Sequence, residues 1–483
     1  MASFDWRARR IPEDPERPHH QSRHPGRKIV AKYLRLGMTP AYLMLCVLLG
    51  GASAAGFWAN LILQLMAIPM IVWSFVTVRK TPVSGAARHL LGIAAAIVIV
   101  ILLQLIPLPP GLWTTLPGRG PIAEGFVLAG QPLPWLPISL DAGRTVASAL
   151  WLLPAYAVLL SIVRLGNFTA AGIAWTIALA SALSVCLGAL QIAGGNMSSW
   201  YIYRITNYGQ TTGFFSNSNH LATLLLVSVP FITALYVSAR ARRSARRTSG
   251  MVVVLGGAIA ISLFGLIMNT SLAGLGLGVP VALASLLMLR SSKTKPMKWG
   301  IPVLGLATVL AVALVVVGPF GNNLTGKGAE ERQDSRYTSF GKTITAAVEY
   351  APLGSGIGTF ADVYRTHEDP KAVTRVYMNH AHSDYLELAL ETGIPGIVVI
   401  LVFLLWWLRR TIAIWSAEAP DAFARAATIA SGAIVAHSMV DYPLRTAAIA
   451  ALFAAACALM AEPRPWGGPR AKKAPRARHL SAD

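Results

Sequence analysis

Residues 379–396, NHAHSDYLELALETGIPG, crowd His380 and His382, the carboxylates of Asp384, Glu387 and Glu391, and the hydroxyls of Ser383 and Tyr385 onto one short segment. Imidazole titrates near neutral pH, so proton transfer is the chemistry such a segment suits best. At about 100° per residue, His380, Asp384, Glu387 and Glu391 fall within about 60° of one another and form an acidic helix face. His382 lies on the other side, with Tyr385, Leu386 and Ala389. If the helix begins instead at Ser383, His382 stands just before its N-terminus, where exposed backbone N–H groups favour an anion such as a diphosphate. Plainer readings stand beside these. A histidine on an apolar face is by default a hydrogen-bonded core residue, and an acidic face is by default solvated. The two close histidines raise a zinc site, but no His-Glu-x-x-His pattern and no cysteine pair accompanies them, so no metal is expected.

Upstream, residues 331–350 set Tyr337, Phe340, Ile344 and Val348 at helical steps, the pattern of an amphipathic helix on a membrane surface. Arg332 and Arg336 share one face of it. Residues 352–360, PLGSGIGTF, then alternate Gly354, Gly356 and Gly358, which permits positive φ and close backbone approach. The pattern fits a loop against a phosphate or sugar, or simply a tight turn at the membrane surface.

The elements that must position these groups are membrane helices. The chain is 54% hydrophobic and 13% charged, with a mean hydropathy of +0.54. Apolar runs recur at 37–54, 57–78, 89–108, 146–163, 168–191, 219–238, 250–268, 272–289, 299–318, 394–408, 422–440 and 446–461. Each is near the ~20 residues a bilayer needs or somewhat short of it. This is an all-α polytopic membrane protein of about twelve transmembrane helices with one large loop. Residues 1–36 read as a disordered basic tail without a signal-peptide pattern, 37–318 as nine spans, 319–393 as the long loop, 394–461 as three spans, and 462–483 as a second basic tail. Cys46, Cys186 and Cys457 fall in apolar runs and read as small core residues.

A net charge of +21 would suggest nucleic acid in a soluble protein. Here 31 of the 42 Lys and Arg fall on alternate connections, on the side shared by both termini. That bias places both termini in the cytoplasm and accounts for the basic excess without nucleic acid. The opposite side receives 109–145, with Trp113 and Trp135 suited to an interfacial belt, then 192–218, 319–393 and the turn 439–446. The polar clusters lie on this side. The cytoplasmic connections carry no P-loop and no Rossmann glycine pattern.

The segment His382–Ser383, nine residues, Gly393, two residues, Gly396 resembles the hallmark of the O-antigen ligase and Wzy-type polymerase superfamily. Three blocks support the resemblance. GFFSNSNHLA (213–222) looks like the family's GTFxNPNHLA, with Ser218 in the usual proline position. SRYTSFGKTITAAVEYAPLGSGIGTF (335–360) and AHSMVDYPLR (436–445) resemble two further family blocks. Leu272 departs from the pattern, since many relatives carry Arg there. The resemblance covers residues 200–460 well.

It implies a GT-C-like glycosyltransferase in the bacterial inner membrane, metal-independent, with no cofactor and a periplasmic active site. The donor is a glycan on undecaprenyl diphosphate, and the acceptor a second glycan or a lipid. His382 would activate the acceptor hydroxyl, with inversion at the anomeric carbon. Arg336 is the first choice to hold the diphosphate, with Arg204, Arg332 and Arg375 behind it. His380, Asp384, Tyr385 and Glu387 would contact glycan or orient imidazoles. His220 and Asn219 either cap a helix start or line the donor cavity. Asp441 and Arg445 read as a salt bridge joining two span ends. The resemblance favours polymerisation of repeat units into exopolysaccharide or O-antigen, ahead of ligation to lipid A-core or to protein. It leaves open whether a chain-length regulator or flippase takes part. A transporter would show broken, charged spans and an internal repeat, and no repeat is found.

Overall fold

The computed structural model describes residues 25–53, 56–77, 82–166, 168–241, 245–269, 271–289, 329–368 and 378–462, with backbone alone at 25–32, 245–248 and 329–338. Seven helices in it are long and apolar enough to cross a membrane, and three shorter apolar helices accompany them. The strand content of the described residues is one antiparallel pairing, Pro107–Leu108 with Leu136–Pro137. The all-α polytopic membrane fold expected from hydropathy is the fold observed. The expected runs fall on helices except 299–318, which lies outside the described residues. The first helix, Pro25–Leu49, begins inside the stretch read as a tail.

The helix Ser218–Ala241 runs through the centre of the bundle. Its most apolar window is 89% buried, against 17% for Gly85–Gln104. A helix apolar all round can be wrapped on every side, and this one packs against Ala170–Ala193, Ala245–Asn269, Leu272–Leu287 and Ala422–His437. The alanine-rich helices Ala422–His437 and Ala447–Ala461 let backbones approach closely, as small residues do between membrane helices. Cys46 and Cys457 are buried, but Cys186 is exposed on the outer face of its helix rather than in the core.

Tertiary hydrogen bonds collect at two opposite ends. At one end Ser84 Oγ donates to the Ala461 carbonyl, Trp406 Nε1 to the Ala86 carbonyl and Arg410 to the Met460 carbonyl. At the other, Gly51, Gln104, Ser139, Tyr203, Asn269, Ser355 and Asp384 tie the ends of distant helices together. Trp113 belongs to this second end but is 1% exposed, its Nε1 donating to the Pro134 carbonyl, whereas Trp135 is 65% exposed. The expected aromatic pair is therefore split: Trp113 packs the loop, and only Trp135 is available to an interface.

Candidate active site

Ser383 sets the start of the critical helix. Its backbone is extended, its Oγ accepts from Leu386 N at 3.5 Å, and the helix runs Asp384–Trp415. Of the two geometries open in the sequence, the later start is the one adopted. His382 precedes the cap with φ of 54°, a conformation uncommon outside glycine and often held at functional sites. Gly393 interrupts the helix with φ 57° and ψ −147°, and Ile394 N beyond it donates to the Pro352 carbonyl at 2.8 Å. The acidic segment and the following span are thus one kinked element.

His382 Nδ1 lies 3.5 Å from Asp441 Oδ1, with the imidazole side chain 24% exposed and Asp441 fully buried. At that separation the two groups are in ion-pair range but make no hydrogen bond. Burial pushes the Asp441 carboxyl up, but the close approach of His382 and the field of His220 and His437 outweigh it and hold the group below the usual carboxylate range. His437 is fixed in turn, its Nδ1 2.8 Å from Thr223 Oγ1.

The acidic face is not solvated. Asp384, Glu387 and Glu391 are 2%, 1% and 0% exposed. They are covered by Arg445, whose guanidinium lies 2.9 Å from Glu391, 3.5 Å from Glu387 and 3.7 Å from Asp384. Burial pulls the Arg445 guanidinium down, but the three carboxylates outweigh it and keep it charged. The expected Asp441–Arg445 bridge is not the one made. Asp441 turns to His382, while Arg445 reaches back to the helix. Asp384 Oδ2 also accepts from Ser438 Oγ at 2.8 Å and from Leu444 N at 3.2 Å.

His380 Nδ1 lies 2.8 Å from Glu387 Oε1, and Ala381 N donates to Glu387 Oε2 at 2.9 Å. Tyr442 stands among three imidazoles, with ring centroids 4.4 Å from His380, 5.1 Å from His220 and 5.2 Å from His382. His220 is fully buried against Phe215 and Tyr442. The cap of its helix comes from neither expected residue: Asn217 Oδ1 accepts from Asn219 N, and Asn219 Oδ1 accepts from Ser271.

A cavity of about 810 Å³ opens beside this cluster. Its walls are apolar, with Leu90, Ile93, Trp151, Val399, Phe403 and Phe453 among them. Its polar end carries Arg144, Arg365, His380, Asp384, Glu387 and Arg445. Tyr385 also lines it, its hydroxyl donating to the Val435 carbonyl at 2.9 Å. His382 and His220 do not belong to the lining of this cavity.

Gly354, Gly356 and Gly358 all have positive φ, at 81°, 110° and 88°. The turn they make does not present its amides to an open space. Gly358 N donates to Glu391 Oε1 at 2.8 Å, Gly356 N to the Glu391 carbonyl at 2.9 Å, and Ile357 N to Gln104 Oε1 at 3.0 Å. The anion in this loop is the protein's own Glu391.

Of the arginines expected at a diphosphate, Arg375 and the side chains of Arg332 and Arg336 lie outside the described residues. Arg204 is exposed on the loop before the central helix and does not line the cavity. Arg144 and Arg365 line the cavity and flank Asp362 at 2.7 and 3.5 Å. Nothing local in sequence marks Arg144, which lies on the helix Ala142–Trp151 far from any motif. Among the described residues, no group of three or more His, Cys, Asp or Glu is arranged to hold a metal ion.

Residues 257–401 match a protein-family model described as O-antigen ligase, which supports the resemblance to the O-antigen ligase and Wzy-type superfamily drawn from the four sequence blocks. The match includes both histidines and the acidic face but stops short of Asp441 and Arg445. No curated protein matches the chain.

Proposed function

We propose that the protein transfers a glycan from a polyprenyl diphosphate, undecaprenyl in a bacterial inner membrane, to an acceptor hydroxyl at the periplasmic face. Both termini are then cytoplasmic. The observation that carries this reading is the cavity: an apolar shaft between membrane helices that ends in arginines, carboxylates and a histidine. A long isoprenoid chain suits the shaft, and a diphosphate with its first sugar suits the polar end.

In the proposed reaction His382 takes the proton of the acceptor hydroxyl, and Asp441 orients the ring through Nδ1. The acceptor oxygen bonds to the anomeric carbon from the face opposite the diphosphate. The bond to the diphosphate oxygen breaks, and its electron pair leaves with the carrier. Inversion follows from this in-line geometry. Charge on the departing diphosphate is held by guanidinium groups, for which bidentate contact suits arginine. Arg445 is buried among three carboxylates, whereas Arg144 and Arg365 are about half exposed at the cavity and share Asp362; these two, with Arg336 from the long-loop helix, take that role. His380, Tyr385, Asp384 and Glu387 shape the polar end around the sugar.

Two acceptors suit this chemistry. The exopolysaccharide-like form of the late motifs favours a second lipid-linked glycan, hence a polymerase of repeat units. The family description favours a lipid A-core acceptor, hence a ligase. Purified protein in liposomes with undecaprenyl-diphosphate repeat units and chelator should lengthen them, and His382→Ala should not. Adding lipid A-core to the same assay separates the two acceptors. Wild-type activity in His382→Ala would sink the catalytic assignment.

A further inference from the structure

We propose that Glu391 is a positioning residue that locks the glycine turn, and with it the arginine-bearing helix Phe360–Thr366, against the polar end of the cavity. Glu391 is fully buried and uses both carboxylate oxygens on different elements. Oε1 accepts from Gly358 N at 2.8 Å and from Phe360 N at 3.4 Å, the first residue of that helix. Oε2 accepts from Arg445 at 2.9 Å. Its backbone carbonyl accepts from Gln104 Nε2 at 2.7 Å and from Gly356 N at 2.9 Å. One residue therefore joins the end of the helix Gly85–Gln104, the glycine turn, the short helix and the late turn carrying Arg445.

The turn is closed on its other side as well. Thr145 Oγ1 donates to the Ile357 carbonyl at 2.8 Å, and Leu140 N to the Ser355 carbonyl at 2.8 Å. The short helix carries Asp362, whose carboxylate lies 2.7 Å from Arg144, and Arg365. Both arginines line the cavity. The glycines are what permits this closeness: a Cβ on Gly354 would stand 2.5 Å from the Glu391 carbonyl oxygen. Both carboxylate oxygens of Glu391 are engaged by protein donors at the edge of the cavity it borders. Its part is to set where Arg144 and Arg365 stand relative to His380, so its effect falls on the donor and not on the acceptor. That assignment to the donor rests on the transfer reaction proposed above.

The test compares Glu391→Gln with Glu391→Ala in the full chain. Glutamine keeps an oxygen for Gly358 N but turns its NH2, a donor, toward Arg445, which keeps Glu387 and Asp384. Hydrogen–deuterium exchange over residues 352–366 should stay slow in Glu391→Gln and rise in Glu391→Ala. The KM for the diphosphate donor should rise about tenfold or more in Glu391→Ala, with acceptor KM little changed, and should return to within about threefold in Glu391→Gln. Should the alanine variant not fold, Glu391→Asp, one methylene shorter, should show faster exchange at 352–366 with the charge kept. Exchange as slow as wild type in Glu391→Ala or Glu391→Asp would overturn the proposal, as would faster exchange with an unmoved donor KM. If the wild-type protein transfers from no diphosphate donor, the proposed reaction fails, and the exchange measurement still decides the role of Glu391 in the turn.

Discussion

Two histidine–carboxylate pairs flank Tyr442, and they differ in how tightly they are made. His380 and Glu387 meet at 2.8 Å, and Glu387 is further held by Ala381 N and Arg445. His382 and Asp441 stand 3.5 Å apart, with His382 in a positive-φ backbone and its ring partly exposed. A saturated pair resists change. A loose pair with one exposed edge leaves an imidazole able to take up a proton and be stabilised by its carboxylate as it does so. In the proposed reaction the first pair shapes the cavity and the second carries the proton transfer.

The comparison breaks first at His382. Replacing it with alanine should lower turnover by about 10²–10⁴-fold, read as initial rates of glycan transfer in liposomes; a loss no greater than that of His380→Ala would erase the distinction. Next is Arg445→Met, which strands three buried carboxylates. It should destabilise the fold by about 3–5 kcal/mol, seen as a large drop in the unfolding temperature in detergent, and an unshifted temperature would mean the acids have another partner. Asp441→Asn should slow transfer by on the order of 10²-fold while leaving donor KM near wild type.

A subtler check uses pH. The folded Asp441 carboxyl is held below its ordinary range, so the stability it adds is present at neutral pH and is lost only as pH falls through its folded value. The stability gap between wild type and Asp441→Asn should therefore persist from neutral pH downward and close only below about pH 4. Convergence near pH 6 would contradict the buried, ionised state of Asp441. The smallest effect is expected for His380→Gln, a few-fold rise in donor KM with turnover nearly kept.

The spans were legible because a bilayer demands long apolar runs, and that demand is local in sequence. The position of His382 before a helix cap was legible as one of two geometries, since Ser383 is a good N-cap residue. A helical wheel could group Asp384, Glu387 and Glu391, but it carries no information about what covers them. Their cover, Arg445, arrives from the turn beyond the next helix, and Gln104, which donates to the Glu391 carbonyl, from far upstream. The glycine turn showed the same limit. Its positive φ was readable from composition, while the identity of the anion it enfolds depended on a contact 33 residues away.

The pairing of Glu391 with Arg445 spans 54 residues. Synthesis runs from the N-terminus, so the acidic helix start is made and delivered to the membrane well before its counter-charge exists. Three carboxylates then wait without their shared guanidinium until the helix Ala422–His437 and the turn after it have been threaded. The finished charge balance is thus a mark of complete assembly. A chain halted after His437 should carry exposed acids at that helix start and be turned over rapidly in the cell, which pulse-chase labelling against the full chain would measure.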